Sequence, residues 1–342
     1  MSDKATRPQL ATDYITTPTL ASALDLFYAQ CRARNLSPFT LRRYTADLES
    51  WQAWRVARAY SVLLTDIGID ELREYLTYLL YEHVPHSANP QRRADNKIGC
   101  APETVANIRK RIHTAWVFWG DEGMLSDAQR AFFVRGRIPS PNVPEQIRPT
   151  YSQEVLDALL SAAEHFQVPE STARDRAIIR LLFDTGMRVA ELCSIDDEQV
   201  NLGEQRAIIT GKGGKQRHIF WTSTAAEALD AYLAVRTGER GGPLFRSCGR
   251  GGVAHKGRGG RLSMQTVRDI FDRLAKRAEK ELPTGAPIHA LRHTFAHRFL
   301  DEGGDGLHLQ QLLGHASSRT TERYVRENGT GLRRVYRRVL GD

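Results

Sequence analysis

The sequence predicts a mainly α-helical protein with one small antiparallel β-sheet, divided into two domains. Three observations carry that expectation. Apolar residues recur at helical spacing through most of the chain. One stretch, residues 205–221, reads instead as a hairpin: Ala207-Ile208-Ile209, a glycine-rich turn, then His218-Ile219-Phe220-Trp221. Between them, residues 134–149 hold Pro139, Pro141, Pro144 and Pro149 and suit neither pattern, because proline cannot join a helix interior. A length of 342 residues is long for one core and comfortable for two.

Residues 1–18 are polar and read as a flexible leader. A first helix follows, with Leu20, Leu24, Phe27 and Cys31 on one face. Ser37-Pro38 reads as an N-cap with proline at the first helical position. Leu41, Tyr44, Leu48 and Trp51 give that second helix its apolar face. Residues 71–80 form a third helix through Leu72, Leu76 and Leu79, and residues 82–102, rich in prolines, asparagines and basic groups, read as a long loop. A fourth helix, 103–119, turns Val105, Ile108, Ile112 and Trp116 inward. Residues 19–133 are therefore expected as a helical domain and 134–149 as a linker. Arg135, Arg137 and Arg148 suit a linker that follows a phosphate backbone, and equally a solvated one.

The second domain, residues 150–328, opens with helices at 153–163 and 174–183. After the hairpin come helices at 224–235 and 264–280. Residues 246–261 are glycine-rich and basic without the spacing of a phosphate-binding P-loop, and read as a mobile loop that orders on nucleic acid. In 329–342, Leu332, Val335, Tyr336, Val339 and Leu340 form an apolar stripe on a short helix.

Bulk properties narrow the function class. Hydrophobic residues make up 41% and charged residues 26%, as in a soluble globular protein. The net charge of +8 favours a polyanionic partner. No apolar run is long enough to span a bilayer, and the N-terminus lacks a secretory pattern. Cys31, Cys100, Cys193 and Cys248 are scattered, with no C-x-x-C pair, which suits a reducing cytoplasm.

The chemistry-bearing residues lie in the second half. Arg188, in Thr185-Gly186-Met187-Arg188, sits at a helix start, where a bidentate cation joins free backbone N–H donors. Glu191, one turn on, braces Arg188 or a neighbouring histidine, or is a surface glutamate. Lys212, in Gly211-Lys212-Gly213-Gly214-Lys215, sits at the hairpin turn, placed to protonate a leaving oxygen or simply to touch DNA. His289 and Arg292 are one turn apart and can address one anion. His289, His293 and His297 recur every four residues as metal ligands might, but no H-E-x-x-H is present and Arg292 adds positive charge. His293 and His297 are read as DNA-facing or solvated. His315 follows Leu312-Leu313-Gly314, a helix end, and Tyr324 lies on the next short helix. A phenol is a weak nucleophile at neutral pH and needs cations or a base.

These segments, in this order, resemble the tyrosine recombinase (phage integrase) family. The likeness covers residues 149–336 for an α+β catalytic domain. More loosely, 19–133 resembles the family's helical, SAM-like core-binding domain. The resemblance implies that Arg188, Lys212, His289, Arg292, His315 and the nucleophile Tyr324 form the catalytic set, with Glu191 behind Arg188. It implies a 3′-phosphotyrosine intermediate, a Holliday junction, a tetramer on two DNA duplexes, and no need for metal or nucleotide. Accessory directionality proteins are possible partners, and no membrane is involved. The C-terminal helix, 329–342, is expected to dock on a neighbouring protomer. Arg42, Arg43, Arg109 and Lys110 on the first domain, and Lys215 and Arg217 by the hairpin, are candidate DNA contacts or solvated charges. The leader is too short for an arm-binding domain, which makes this a simple two-domain recombinase. Its long loops point to mobile-element or phage-type integration and excision. The alternatives are Xer-type chromosome dimer resolution, a type IB topoisomerase, or a non-cleaving DNA-binding regulator.

Overall fold

The computed structural model describes residues 17–84, 98–144, 148–164, 169–211, 214–237, 241–247, 260–314, 321, 322, 324, 336, 337, 340 and 341. Most of the leader, most of the 82–102 and 246–261 loops, Lys212, His315 and most of 329–342 lie outside them. The chain divides into two compact units, Met1–Glu145 and Gln146–Asp342.

The first unit is helical: α1 (Leu20–Ala33), α2 (Pro38–Ala57), α3 (Ile69–Tyr81), α4 (Pro102–Asp121) and a short α5 (Asp127–Arg130). Ser37 caps α2 by accepting from the Thr40 amide, with Pro38 behind it as the sequence predicts. The core is aromatic, built on Trp51, Tyr75, Trp116 and Trp119. Trp119 donates its indole N–H to the Ala23 carbonyl at 2.8 Å, and Trp116 donates to the Gln129 carbonyl at 2.8 Å. These bonds satisfy the indole donors of these two buried rings.

Two features escaped the periodicity. Ser126 and Gln129 form a capping box that starts α5, and the buried Gln129 amide donates to the carbonyls of Leu64 and Ile67. A 3-10 turn, Ala131–Gly136, then carries the chain into Ile138, which is fully buried in this core. The front of the expected linker therefore belongs to the helical unit. Arg73 and Arg109 hold it there by donating to the carbonyls of Arg137 and Ile138.

The second unit contains α6 (Gln153–Ala163), α7 (Pro169–Thr185), α8 (Val189–Ser194), α9 (Ser223–Val235), α10 (Met264–Ala278), α11 (Pro287–Asp301) and α12 (Gly306–Leu313). Its antiparallel sheet runs in the order β1 (Val200–Asn201), β2 (Arg206–Thr210), β3 (Gln216–Phe220). In the hairpin, Ala207 faces Ile219 and Thr210 faces Gln216. Ala207, Ile209 and Ile219 point into the core, while Ile208 and Phe220 face out. The third strand, β1, is two residues long, too short to show alternation. Helix α7 begins earlier than its apolar pattern because Glu170 is buried in its first turn. That carboxylate accepts from the amide and hydroxyl of Thr237.

No helix among the described residues is long and apolar enough to cross a membrane. Cys31, Cys100 and Cys193 are free thiols.

Gly186 ends α7 with φ +58°, a left-handed conformation that turns the chain sharply into α8. A Cβ here would lie 2.5 Å from the Phe295 ring. Gly186→Ala is expected to destabilise the chain by roughly 2–4 kcal/mol, from backbone strain and overpacking together. Urea unfolding of the full chain, followed by circular dichroism, checks this through a lowered midpoint at unchanged slope.

Candidate active site

Arg188 occupies the N-cap of α8, directly after the Gly186 turn. Its amide donates to Glu191 Oε2 at 2.8 Å, and its Nη1 donates to Glu191 Oε1 at 2.9 Å. The arginine side chain keeps about a third of its surface exposed, whereas Glu191 is buried. Of the alternatives the sequence left open for Glu191, the structure realises the brace on Arg188.

Glu191 has a second partner. Arg217 of β3 forks onto it, with Nη2 donating to Oε2 at 2.7 Å and Nη1 to Oε1 at 2.9 Å. Arg217 Nε donates to the Leu312 carbonyl at the end of α12. Arg217, expected as a DNA contact, is thus enclosed as a strut among the hairpin, α8 and α12. Burial opposes the charge on Glu191. The Arg217 fork, the Arg188 amide and the two cations outweigh that burial and hold the carboxyl below the usual range.

Arg292, on α11, is 1% exposed. Its Nη1 donates to the Gly186 carbonyl at 2.9 Å and its Nη2 to the Leu313 carbonyl at 2.6 Å. One guanidinium therefore ties the turn before Arg188 to the helix end before His315. Burial and the Arg188 charge push it down to about 9, still a cation at neutral pH. Gly314 caps α12 in the left-handed conformation, as the sequence predicts, and a Cβ there would press on Arg217 at 3.0 Å.

His289 is half-buried one turn before Arg292. Burial, with Arg292, Arg148 and Arg188 nearby, lowers it to about 4, so the ring is neutral at working pH and keeps one unprotonated nitrogen. Its ring meets His293 edge-on, with centroids 4.7 Å apart.

His293 overturns its expectation. It is buried, neither solvated nor facing outward, and its Nδ1 lies 2.5 Å from the Tyr324 hydroxyl. Arg148 Nη1 lies 3.3 Å from its Nε2. Tyr324 is 3% exposed and packs with Phe295, Ala296, Leu300, Leu309 and Leu313. His297 is half-buried, its ring edge-on to Tyr324 at 5.7 Å. The four-residue spacing of the histidines put them on one face; nothing in the sequence said that this face meets Tyr324. Among the described residues, no group of three or more His, Cys, Asp or Glu is arranged to hold a metal ion.

Lys212 and His315 lie outside the described residues. Beside Lys212, the Gly211 amide donates to the Lys215 carbonyl at 2.8 Å, and Lys215 itself is exposed. In the first unit, Arg42, Arg43 and Lys110 are exposed, as DNA contacts need to be. Arg109 is not so placed: it donates to Ile138 and covers the Phe133 ring at 5.4 Å, in a structural role.

Residues 150–330 match the model of the phage integrase family. The tyrosine recombinase XerD of Mycobacterium tuberculosis is 33% identical over 311 residues, covering 89% of this chain and 92% of that protein. Among solved structures, a lambda integrase fragment, crystallised as a dimer bound to a COC′ core site, superposes with a TM-score of 0.64 at 20% identity. The superposition covers 90% of this chain and 95% of that one. A lambda integrase tetramer bound to a Holliday junction gives 0.64 at 20% identity, over 91% and 78% of the two chains.

Glu191→Gln removes the carboxylate shared by two guanidinium groups. The cost is expected at about 3–5 kcal/mol, the range for breaking a buried pair from one side. Because the folded-state pKa of Glu191 is depressed, its contribution is fully present above the unfolded carboxylate pKa and is lost as pH falls through the folded value. Urea midpoints measured across the acid range check this: the gap between wild type and variant narrows only as the pH drops below the ordinary carboxylate range.

Proposed function

The chain belongs to the phage integrase family and is a site-specific DNA recombinase of the tyrosine type, and from that premise we propose that Tyr324 is its nucleophile. The observation that carries the site is the pair of bonds from Arg292 to the carbonyls of Gly186 and Leu313. Through them the Arg188 turn, the α11 motif and the chain leading into His315 meet at one point. The hydroxyl of Tyr324 lies against His293, the residue next to Arg292.

Tyr324 Oη attacks the scissile phosphorus, the Oη–P bond forms and the P–O5′ bond breaks. A 3′-phosphotyrosine remains and a 5′-hydroxyl departs. Arg188 and Arg292 stabilise the charge that accumulates on the phosphorane oxygens. Lys212 gives a proton to the departing 5′ oxygen, His289, neutral at working pH, takes the phenol proton, and His315 positions the phosphate. The phosphotyrosine conserves the phosphodiester energy, so a partner strand's 5′-hydroxyl reverses the step without nucleotide or metal. Arg42, Arg43, Lys110 and Lys215 contact the DNA backbone.

The assembly we propose is a tetramer on two duplexes that passes through a Holliday junction. The lambda integrase tetramer on a junction shares this fold. Tyr336 and Leu340 of the C-terminal stripe are exposed on the single chain, which suits docking onto a neighbouring protomer; the rest of the stripe lies outside the described residues. Accessory proteins that set direction, and action in a reducing cytoplasm, belong to the same reading.

Mobile-element or phage-type integration and excision is the biological outcome we favour, because the loops at residues 82–102 and 246–261 are longer than those expected of compact chromosome-resolving members. A second reading, Xer-type chromosome dimer resolution, is supported by the similarity to XerD over 92% of that protein. Mapping covalent adducts across the host genome separates them: adducts at the ends of a mobile element support the first, adducts at one chromosomal site the second.

On a nicked suicide substrate the wild-type chain is expected to form a covalent adduct that persists in EDTA. Tyr324→Phe is expected to lose it by on the order of 10³-fold or more. An adduct on the Phe variant would sink the nucleophile assignment. Site-independent relaxation of supercoils by monomers would favour a topoisomerase, and no adduct at all a regulator.

A further inference from the structure

His293 has two ring nitrogens and two neighbours, and the neighbours decide where its proton sits. A guanidinium has only donors. Arg148 Nη1, 3.3 Å from Nε2, therefore donates, and Nε2 accepts. A neutral imidazole carries one proton, which must then be on Nδ1. Nδ1 lies 2.5 Å from Tyr324 Oη, so the histidine donates and the phenol oxygen accepts. The phenol's own hydrogen points away from His293.

We propose that His293 is a further catalytic residue, a hydrogen-bond donor that stabilises the Tyr324 oxygen as it becomes anionic, and that Arg148 is the positioning residue that sets its tautomer. The inference rests on the assignment of Tyr324 as nucleophile.

Several observations support it. Among the described residues, the charged and titratable groups facing His293 are Arg148 from the segment before α6, Arg292, His289 and His297 from α11, and Tyr324. Burial and these neighbours lower the ring to about 3, so it does not take a second proton at working pH. A neutral N–H donor aimed at an oxygen is worth more once that oxygen is charged, because charge-assisted bonds are the stronger ones. The bond therefore strengthens as the nucleophile ionises, which is the differential binding that lowers a barrier. With Nε2 accepting from Arg148 and Nδ1 already protonated, His293 cannot receive the phenol proton. That proton leaves to another base, the role given above to His289. His293 thus supplies a bond to the oxygen and transfers no proton, so atoms and charges in the cleavage step are unchanged.

The test uses the full-length chain at saturating DNA. The suicide substrate carries sulfur at the scissile 5′ bridging position. Sulfur leaves without protonation, so the rise of adduct rate with pH reports the nucleophile and is insensitive to the general acid. His293→Phe is expected to slow adduct formation by about 10²-fold at neutral pH, the cost of removing one donor from a developing oxyanion. Its ascending limb is expected to move to higher pH. His293→Asn, whose carboxamide N–H can stand in for Nδ1–H, is expected to recover most of the rate. Arg148→Met frees the tautomer and is expected to move the limb in the same direction.

A Phe variant as fast as wild type with an unmoved limb would overturn the proposal, and a faster one would make the contact a restraint. An Asn variant as slow as Phe would show that ring shape matters and donation does not. An unmoved limb in Arg148→Met would overturn the tautomer assignment. Should the Phe variant fail to fold, the Asn and Met variants decide. Failure of the parent reading looks different: the wild-type chain forms no adduct, or Tyr324→Phe forms one.

Discussion

Glu191 sits where two arginines need it. Arg188 and Arg217 both bond to its carboxylate, and Arg292 lies within its electrostatic reach. Guanidinium groups gathered this closely repel one another. A buried carboxylate at their base offsets that repulsion while leaving Arg188 partly exposed. Its connections also define the site mechanically. Through Arg217 it reaches the Leu312 carbonyl, so the hairpin that carries Lys212, the turn that carries Arg188 and the helix end that precedes His315 are braced against one another.

Arg292 plays the complementary part. Its two terminal nitrogens hold the carbonyls of Gly186 and Leu313, which satisfies a helix end and a left-handed turn with one buried cation. Gly186 has the φ it has because α7 must stop where Phe295 closes over it. The same glycine lets its carbonyl meet Arg292. Fold and site are therefore not separable here: the residues that terminate the helices also orient the cations.

Burial among cations fixes the protonation of the histidines. His289 and His293 are both lowered far below the ordinary imidazole range by desolvation and by neighbouring positive charge. Neutral rings have one donor and one acceptor each, so their roles depend on direction. Arg148 reaches the His293 ring from a segment otherwise read as linker. The Tyr324 oxygen is enclosed with an apolar cluster on one side and a neutral histidine on the other.

Much of this was legible in the chain itself. Local rules placed the Ser37-Pro38 cap, the 206–220 hairpin, the Gly314 helix end and the helical character of both halves, because these depend on neighbours within a turn or two. The capping box at Ser126 and Gln129 was equally local, and it was passed over only because α5 is four residues long. The order of Arg188, His289, Arg292 and Tyr324 pointed to their chemistry before any geometry was known. What required the tertiary structure was every question of which face meets what. Arg109 and Arg217 look like any surface arginine until Ile138 and Glu191 are brought to them from distant parts of the chain. His293 shares its helical face with His289 and His297, but periodicity gives only a direction around a helix axis, and Tyr324 reaches that face from 31 residues away. The sequence determined which groups were present and in what local conformation; long-range packing decided which of them would be buried, paired and aimed.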